Sequence, residues 1–515
     1  MQNTYTFRCI NLYKYLYTIM YKGKIMVGRI DEAEIISYIS AKLAEAPVLA
    51  REKTQKNGKP LGHRRAYSRI REYVDNFITG EKAGGVENRI IVLPGLRGVG
   101  KTTLMLQIYK YLALTKQIEQ ARILYFSVDE LKEYLGVKIS EVVKVYVERI
   151  FKTSFVNLDK QLFILIDEAH FDKDWGVAAK IIYDQTKKIF LLLTGSSALS
   201  MEMSVDLARR AKKETMFPLN FSEYLILKYK VFPPPGTAES IRGVIFNPSN
   251  TSLKYAEDNW NELKRRSLSI GKPLDKEFEW FLSSGGFPYG IVLDEKVIYE
   301  KIFSMIDRII EKDIFVIRSF KTDTRNLITR IITFLALQKP GGTSDVKLAQ
   351  RLNTSPTMVR SILDVLEKTH LIFSVKPYGG SGKIVRKPWK YYFLSPSVNA
   401  AIRYKLGRYN LRDRDMLGLF AETLVASYFF RMKETINMPS GLFYDAEKKG
   451  VDFLIQKGLD EVIPVEVSIG KKEKGQIKKA INKYKAKYGV VVCDIDDVRK
   501  EGDVVYLPIT FFSFV

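Results

Sequence analysis

The stretch that decides the fold reads Ile90-Ile91-Val92-Leu93-Pro94-Gly95-Leu96-Arg97-Gly98-Val99-Gly100-Lys101-Thr102-Thr103, and the apolar-periodic run Leu104–Leu114 follows it. An apolar β-type run, a glycine-rich turn of the form Gly-x4-Gly-Lys-Thr and a helix come in immediate succession, which is the context a phosphate-cradling loop requires. Glycines let successive backbone N–H groups turn inward around an anion, and the N-terminus of the following helix adds its partial positive charge. Gly95, Gly98, Val99, Gly100, Lys101, Thr102 and Thr103 are therefore expected to hold a nucleotide. Lys101 would reach the β and γ phosphates, and Thr102 would offer its hydroxyl to Mg²⁺. The loop itself does not distinguish ATP from GTP.

Working outward, further apolar runs at Ile123–Ser127, Leu162–Ile166 and Ile189–Leu193, with a fifth expected near Thr215–Phe217, alternate with helical stretches. That alternation predicts an α/β fold built on a parallel sheet covered on both faces. Leu162–Ile166 delivers Asp167 and Glu168 at its carboxyl end, where ligands of α/β sheets collect. Asp167 would organise Mg²⁺, and Glu168 would act as general base towards the attacking water. The next strand ends in Thr194-Gly195-Ser196-Ser197, where a hydroxyl is expected to contact the γ-phosphate or the water.

Five units are expected along the 515 residues: an N-terminal extension and basic helical arm (1–85), the nucleotide-binding core (86–217), a helical lid (218–338), a compact basic unit (339–400) and a mixed α/β unit (401–515). Within the arm, residues 51–72 carry eight Lys/Arg against Glu52 and Glu72. Within the lid, Pro233–Pro235 opens a stretch expected to be irregular as far as Pro273.

The formal net charge of +24 has the sign expected for a polyanion partner, with nucleic acid the first candidate. A lysine-rich surface serving solubility is the alternative. Cys9 and Cys493 stand far apart, and His63, His170 and His370 complete no zinc spacing, so any metal is expected on oxygen ligands and the compartment is expected to be a reducing cytoplasm. The first 25 residues are interrupted by Arg8, Lys14 and Lys22, which argues against a signal peptide, and no membrane span is expected. Met26 is an alternative start, which would make the preceding residues a dispensable extension.

In the basic unit, Ser344–Leu352 is amphipathic, Asn353-Thr354 turns, and Ser355-Pro356 start a helix over Thr357–Leu371, a helix-turn-helix pattern. A basic, aromatic hairpin follows, with Tyr378-Gly379-Gly380-Ser381-Gly382 at its tip and Lys376, Lys383, Arg386, Lys387 and Lys390 around it. The whole predicts a winged helix. Residues 341–400 hold nine Lys/Arg and three Asp/Glu, an excess of 9 − 3 = 6 positive charges. Thr357 and Arg360 would enter a major groove while the hairpin lysines hold phosphates; docking of a protein is the other use of such a unit. In the last unit, Glu422 lies on a helix expected over Leu419–Phe430. Asp452, in the run Val451–Ile455, and Glu466, in Ile463–Ser468, fall on neighbouring strands and are expected to bind Mg²⁺.

The quoted loop, together with Leu165-Ile166-Asp167-Glu168-Ala169, Leu193-Thr194-Gly195-Ser196-Ser197, Phe217-Pro218-Leu219-Asn220-Phe221-Ser222-Glu223-Tyr224 and Gly285-Gly286-Phe287-Pro288, resembles the archaeal and bacterial AAA+ (STAND-like) P-loop ATPases that carry a winged helix and a C-terminal restriction-endonuclease-like domain. The resemblance spans most of residues 86–515 and implies ATP as the nucleotide. It also implies an arginine after the sensor strand that contacts the γ-phosphate in cis or across a subunit boundary, so a homo-oligomer is allowed. Arg209 and Arg210 both occupy that stretch, with Arg209 where the family has glycine, and Arg210 is the expected catalytic arginine. In the nuclease-like superfamily a lysine stands two residues after the glutamate; here the position is Ser468, with Lys471, Lys472, Lys478 and Lys479 as the nearest replacements. Three functions are implied: a nucleotide-controlled switch that binds DNA, an ATP-regulated nuclease, and a signalling ATPase that binds protein.

Overall fold

The computed structural model describes residues 31–515 apart from 82–87, 197–204, 319, 321–323, 339–341, 381, 383, 385–386, 437–439, 448, 459–460 and 470–474. The first 25 residues with Cys9, Met26, Ser197, the turn 339–341, the tip residues Ser381, Lys383 and Arg386, and Lys471 and Lys472 thus lie outside the described residues.

Strands β1 (Ile90–Pro94), β2 (Ile123–Ser127), β3 (Leu162–Asp167), β4 (Ile189–Gly195) and β5 (Ala211–Lys213) form a parallel sheet in the order β2-β3-β4-β1-β5. Side chains alternate across a strand, so Ile90 and Val92 join one core with Leu124 and Ile164, while Ile91 and Leu93 join the other with Phe163 and Leu165. Both faces are buried, which is why β1 reads as an unbroken apolar run. The fifth strand falls earlier than the expected 215–217: only Met216 bridges there, to Gly95, and the ladder with β1 is made by Ala211–Lys213.

The N-terminal helices correct the expected arm. Helix Glu32–Thr54 sends Ile35 and Ile39 into one core and Ala46 and Ala50 into the other, and helix Arg65–Thr79 buries Ala66, Tyr67, Ile70 and Val74 on one stripe. Most of their charge lies on the outer face of packed helices, with Lys42 and Arg64 the buried exceptions. The expected irregular insertion is instead a helical hairpin, Thr237–Phe246 and Asn250–Ser267, because Ser249 caps the second helix by accepting from the Ser252 N–H at 3.1 Å. The hairpin docks on the C-terminal unit, where Trp260 Nε1 donates to the Asp496 carbonyl at 2.5 Å and Tyr488 Oη to the Ile245 carbonyl at 3.0 Å.

Among the described residues a second sheet holds nine strands: β6 (Gly342–Thr343), β7 (Ile372–Pro377), β8 (Trp389–Phe393), β9 (Ser440–Tyr444), β10 (Phe453–Lys457), β11 (Glu461–Ser468), β12 (Gly489–Cys493), β13 (Arg499–Glu501) and β14 (Val504–Pro508), ordered β13-β14-β12-β11-β10-β9-β7-β8-β6. The expected boundary at residue 400 therefore falls inside one sheet. Strand β7 has an edge left open by its hairpin, and parallel pairing of Lys376 and Pro377 with Phe443 and Tyr444 closes it. Beside β6–β8 lie helix Asp345–Leu352, a left-handed Asn353 (φ 54°), and helix Pro356–Lys368 capped by Ser355. No helix among the described residues is long and apolar enough to cross a membrane.

Candidate active site

The site is assembled at the carboxyl ends of β1, β3 and β4. Gly95 leaves β1 so close to the neighbouring chain that a Cβ would stand 2.3 Å from the Met216 carbonyl oxygen, so only glycine fits. Gly98 (φ 83°) and Gly100 (φ 97°) take the left-handed conformations that turn the loop into helix Lys101–Lys110, which continues as a π turn, Tyr111–Thr115. Val99 is fully buried, and Thr102 and Thr103 lie in the first helical turn, half-buried. The Lys101 ammonium is buried and donates to the carbonyls of Gly95 at 2.8 Å and Leu96 at 3.1 Å. Burial pulls its pKa down against the opposing charges of Glu168 and Asp167.

Asp167 ties the three strand ends together. Its Oδ2 accepts from Thr102 Oγ1 at 2.6 Å, and its Oδ1 accepts from Thr194 Oγ1 and, at 3.1 Å, from the Glu168 N–H. The Thr194 hydroxyl, one of those expected to contact the γ-phosphate or the water, donates to Asp167 in this structure, because β4 lies directly beside β3 and sets the two side chains against each other. Ser196 donates its backbone N–H to His170 Nδ1 at 3.3 Å.

Glu168 follows in a left-handed conformation (φ 52°) and is held by groups the sequence did not single out. Arg97 Nη1 lies 3.3 Å from its Oε1, and His170 Nδ1 lies 3.4 Å from its Oε2. The same guanidinium reaches Asp313 Oδ1 at 3.2 Å through Nη2. Asp313 is the last residue of a π turn, Ile309–Asp313, that extends the lid helix Glu295–Arg308. Burial raises the Glu168 pKa more than Lys101 and Arg97 lower it, whereas at Asp313 the effect of burial is outweighed by His170 and Arg97, which hold the carboxyl below its ordinary range. The lid also packs on the loop directly: Met305 Sδ and the Tyr289 ring lie 3.5 Å from where a Cβ on Gly98 would sit, and Pro288 lies 3.5 Å from that of Gly100.

Arg64, one of the basic run that reads as a solvated arm, is buried behind the loop. Its Nη1 donates to the Val99 carbonyl at 2.6 Å, its Nη2 to the Phe217 carbonyl at 2.9 Å, and its Nε to Glu223 Oε1 at 2.9 Å. Arg431, from the long helix Arg414–Ile436, approaches the same carboxylate at 3.6 Å. Arg210 does not reach the loop of its own chain. Ala211 pairs with Ile90, so Arg210 stands at the amino end of the sheet, five strand residues or roughly 16 Å from the loop, where Asp184 holds it at 3.0 Å. Arg209 beside it is exposed.

In the second sheet the pairing Phe453↔Val465, continued by one residue, sets Asp452 opposite Glu466, and Asp452 Oδ2 accepts from the Val467 N–H at 2.8 Å. Tyr392 Oη donates to Glu422 Oε1 at 2.7 Å. Lys390 was expected among the outward hairpin lysines; its ammonium turns inward to 3.6 Å from Glu422 and is 12% exposed, because β8 presents it to the helix that carries Glu422. Among the described residues no group of three or more His, Cys, Asp or Glu side chains is arranged to hold a metal.

Residues 87–225 match the family model described as an AAA domain, and that match with the geometry above defines the class: an ATPase of the AAA+ P-loop type. Residues 275–408 and 417–512 match two models described as domains of unknown function, DUF8612 and DUF4143. The chain is 33% identical over 507 residues, 97% of its length and 98% of the relative's, to the uncharacterized protein MJ1637 of Methanocaldococcus jannaschii, and it belongs to that protein's family. An uncharacterized Haemophilus influenzae protein is 24% identical over 74% of this chain and 82% of its own. Among solved structures, Aeropyrum pernix ORC1 in complex with DNA (14% identity, 69% of this chain and 96% of that one, TM-score 0.31) and AMPPCP-bound DnaA from Aquifex aeolicus (15%, 60% and 89%, TM-score 0.25) are similar.

Proposed function

We propose that the chain is a Mg²⁺-dependent ATPase whose nucleotide state sets the position of its lid and thereby governs a DNA-binding surface in the winged-helix unit. The observation that carries the reading is the hydrogen-bonded set Thr102, Asp167 and Thr194, which joins the first turn of the loop helix to the ends of β3 and β4, with lid residues packed directly on the loop glycines. The Lys101 ammonium would exchange its two loop carbonyls for β- and γ-phosphate oxygens. Thr102 Oγ1 and Asp167 Oδ2 fit Mg²⁺, which takes one or two protein oxygens and fills its remaining positions with phosphate and water. When bound, the ion would neutralise charge on the phosphate oxygens. Glu168 would accept the proton of the attacking water, and Thr194 would act as a positioning residue that fixes the Asp167 carboxylate. For DNA, Thr357 and Arg360 are exposed on the second helix of the helix-turn-helix and Lys387 is exposed on the hairpin, although Arg360 already pairs with Asp345. The test is ATP hydrolysis with and without single-stranded, duplex and branched DNA at rising salt. Stimulation that weakens with salt supports the switch, because phosphate contacts release counterions. Turnover indifferent to every DNA would turn the reading towards a protein partner.

A second reading, an ATP-regulated nuclease, is favoured by one observation: Lys390 brings a cation beside Glu422, on the sheet that sets Asp452 opposite Glu466. It would supply the charge that Ser468 lacks. Metal-dependent cleavage lost in Asp452→Ala and in Lys390→Ala supports this reading; intact DNA of every form counts against it.

A further inference from the structure

We infer that Arg97 is a positioning residue that couples the nucleotide to the lid, by exchanging a bridge between Glu168 and Asp313 for the phosphates. The inference rests on the nucleotide reading of the loop. Arg97 starts within the glycine loop, and its guanidinium divides between two carboxylates of different elements: Nη1 faces Glu168 at 3.3 Å, while Nη2 and Nε face Asp313 at 3.2 and 3.5 Å. One carboxylate belongs to the core and the proposed base; the other is carried by the lid. Asp313 is 1% exposed, and its further neighbour is His170 Nε2 at 3.9 Å. His170 is also neighbour to Glu168, so the four side chains close a ring that joins loop, core and lid.

A bound triphosphate would bring several negative charges into the same poorly solvated space, where opposite charges attract far more strongly than in water. Arg97 is the loop cation that spans both carboxylates, and moving it to phosphate removes it from the two together. Glu168 then loses the cation that occupies Oε1 and becomes free to accept a proton. Asp313 loses its main partner while still buried, a state costly enough to loosen the lid contact. A ligand shifts a lid only through contacts that differ between the two lid positions, and the planar fork of arginine, which spans two acceptors at once, makes such a contact.

Amide hydrogen exchange over residues 295–317 of the full chain, with and without AMP-PNP and Mg²⁺, tests the coupling. In the wild type the nucleotide is expected to speed lid exchange by about 5- to 150-fold, the usual span of coupling between two sites. Arg97→Lys retains the charge but not the fork, and at saturating AMP-PNP is expected to lose most of that response. Asp313→Asn, which lies outside the nucleotide loop, is expected to exchange fast in the lid with or without nucleotide. A lid that responds equally in the wild type and Arg97→Lys, or one that stays as protected in Asp313→Asn as in the nucleotide-free wild type, would overturn the inference. Failure of AMP-PNP to bind the wild type would overturn the nucleotide reading first; binding with an unchanged lid would overturn the coupling alone.

Discussion

Replacing Arg64 by methionine keeps most of the stem volume and removes the guanidinium, which isolates the charge. In the folded chain that guanidinium makes two bonds to Glu223, at 2.9 and 3.1 Å, and two to the carbonyls of Val99 and Phe217. After the change Glu223 keeps the Arg65 N–H at 3.1 Å and Arg431 at 3.6 Å, but its bidentate partner is gone and two buried carbonyls lose a donor. Both side chains of the pair are under 10% exposed (8% and 4%), so solvent screens little of the loss. Breaking one partner out of a buried pair costs about 3–5 kcal/mol, equivalent to roughly 10²- to 10⁴-fold more frequent opening. Amide exchange across Pro218–Tyr224 and the loop, measured against the wild type, reads that change. The deficit depends on pH in a defined direction. Burial pushes the Glu223 pKa up, but Arg64 and Arg431 outweigh it and hold the carboxyl well below its ordinary value of 4.5. Stability from the ionised form is therefore complete above 4.5 and is lost as pH falls below it towards the folded value, so the gap between wild type and variant narrows in acid. A change under about 1 kcal/mol, the scale of a surface pair, would refute the reasoning.

Glu168→Gln is expected to hold nucleotide with near-native affinity and to lower turnover by about 10²- to 10⁴-fold, the usual share of a general base; single-turnover assays check it, and faster hydrolysis would remove Glu168 from that role. Because burial raises the Glu168 pKa above 4.5, kcat/KM should climb with pH along an acid limb centred above that value, as the carboxyl ionises and can accept a proton. A limb that persists unchanged in Glu168→Gln belongs to another group. Removing divalent metal with EDTA should stop turnover and Mg²⁺ should restore it; unchanged turnover in EDTA would count against Thr102 and Asp167 as its ligands. Lys101→Ala should reduce hydrolysis to background in the same assay.

The loop and the acidic strand end were legible because each is local. Glycines, lysine and threonine at fixed spacing, or two carboxylates ending an apolar strand, announce themselves within ten residues. Asp313, which shares Arg97 with Glu168, was not, since it meets Arg97 across 216 positions of chain. One signal was available: Ile309, Ile310, Asp313, Ile314 and Ile317 fall at helical spacing, so a lone carboxylate sits on an apolar face. Arg64 gave no such sign, because a buried arginine inside a basic run has the composition of a solvated one. Arg210 shows the converse within one chain. Its place after the sensor strand suggested proximity to the phosphates, but the register of β5 against β1 sets it at the far end of the sheet. The cap at Ser355 was legible in the sequence, whereas the joining of two sheets across residue 400 depends on a strand edge that neither segment reveals alone.

The π turn at Ile309–Asp313 gives the lid helix a phase as well as a length. Each helical residue advances about 100° around the axis, and a π turn accommodates one residue more than an α turn would. Deleting a single residue between Arg308 and Asp313 would let the helix close regularly and still leave the Asp313 carboxylate nearly in phase with Arg97, because the π turn already absorbs that extra residue. Relatives one residue shorter here would therefore keep the same wiring, with a regular α turn in place of the π turn.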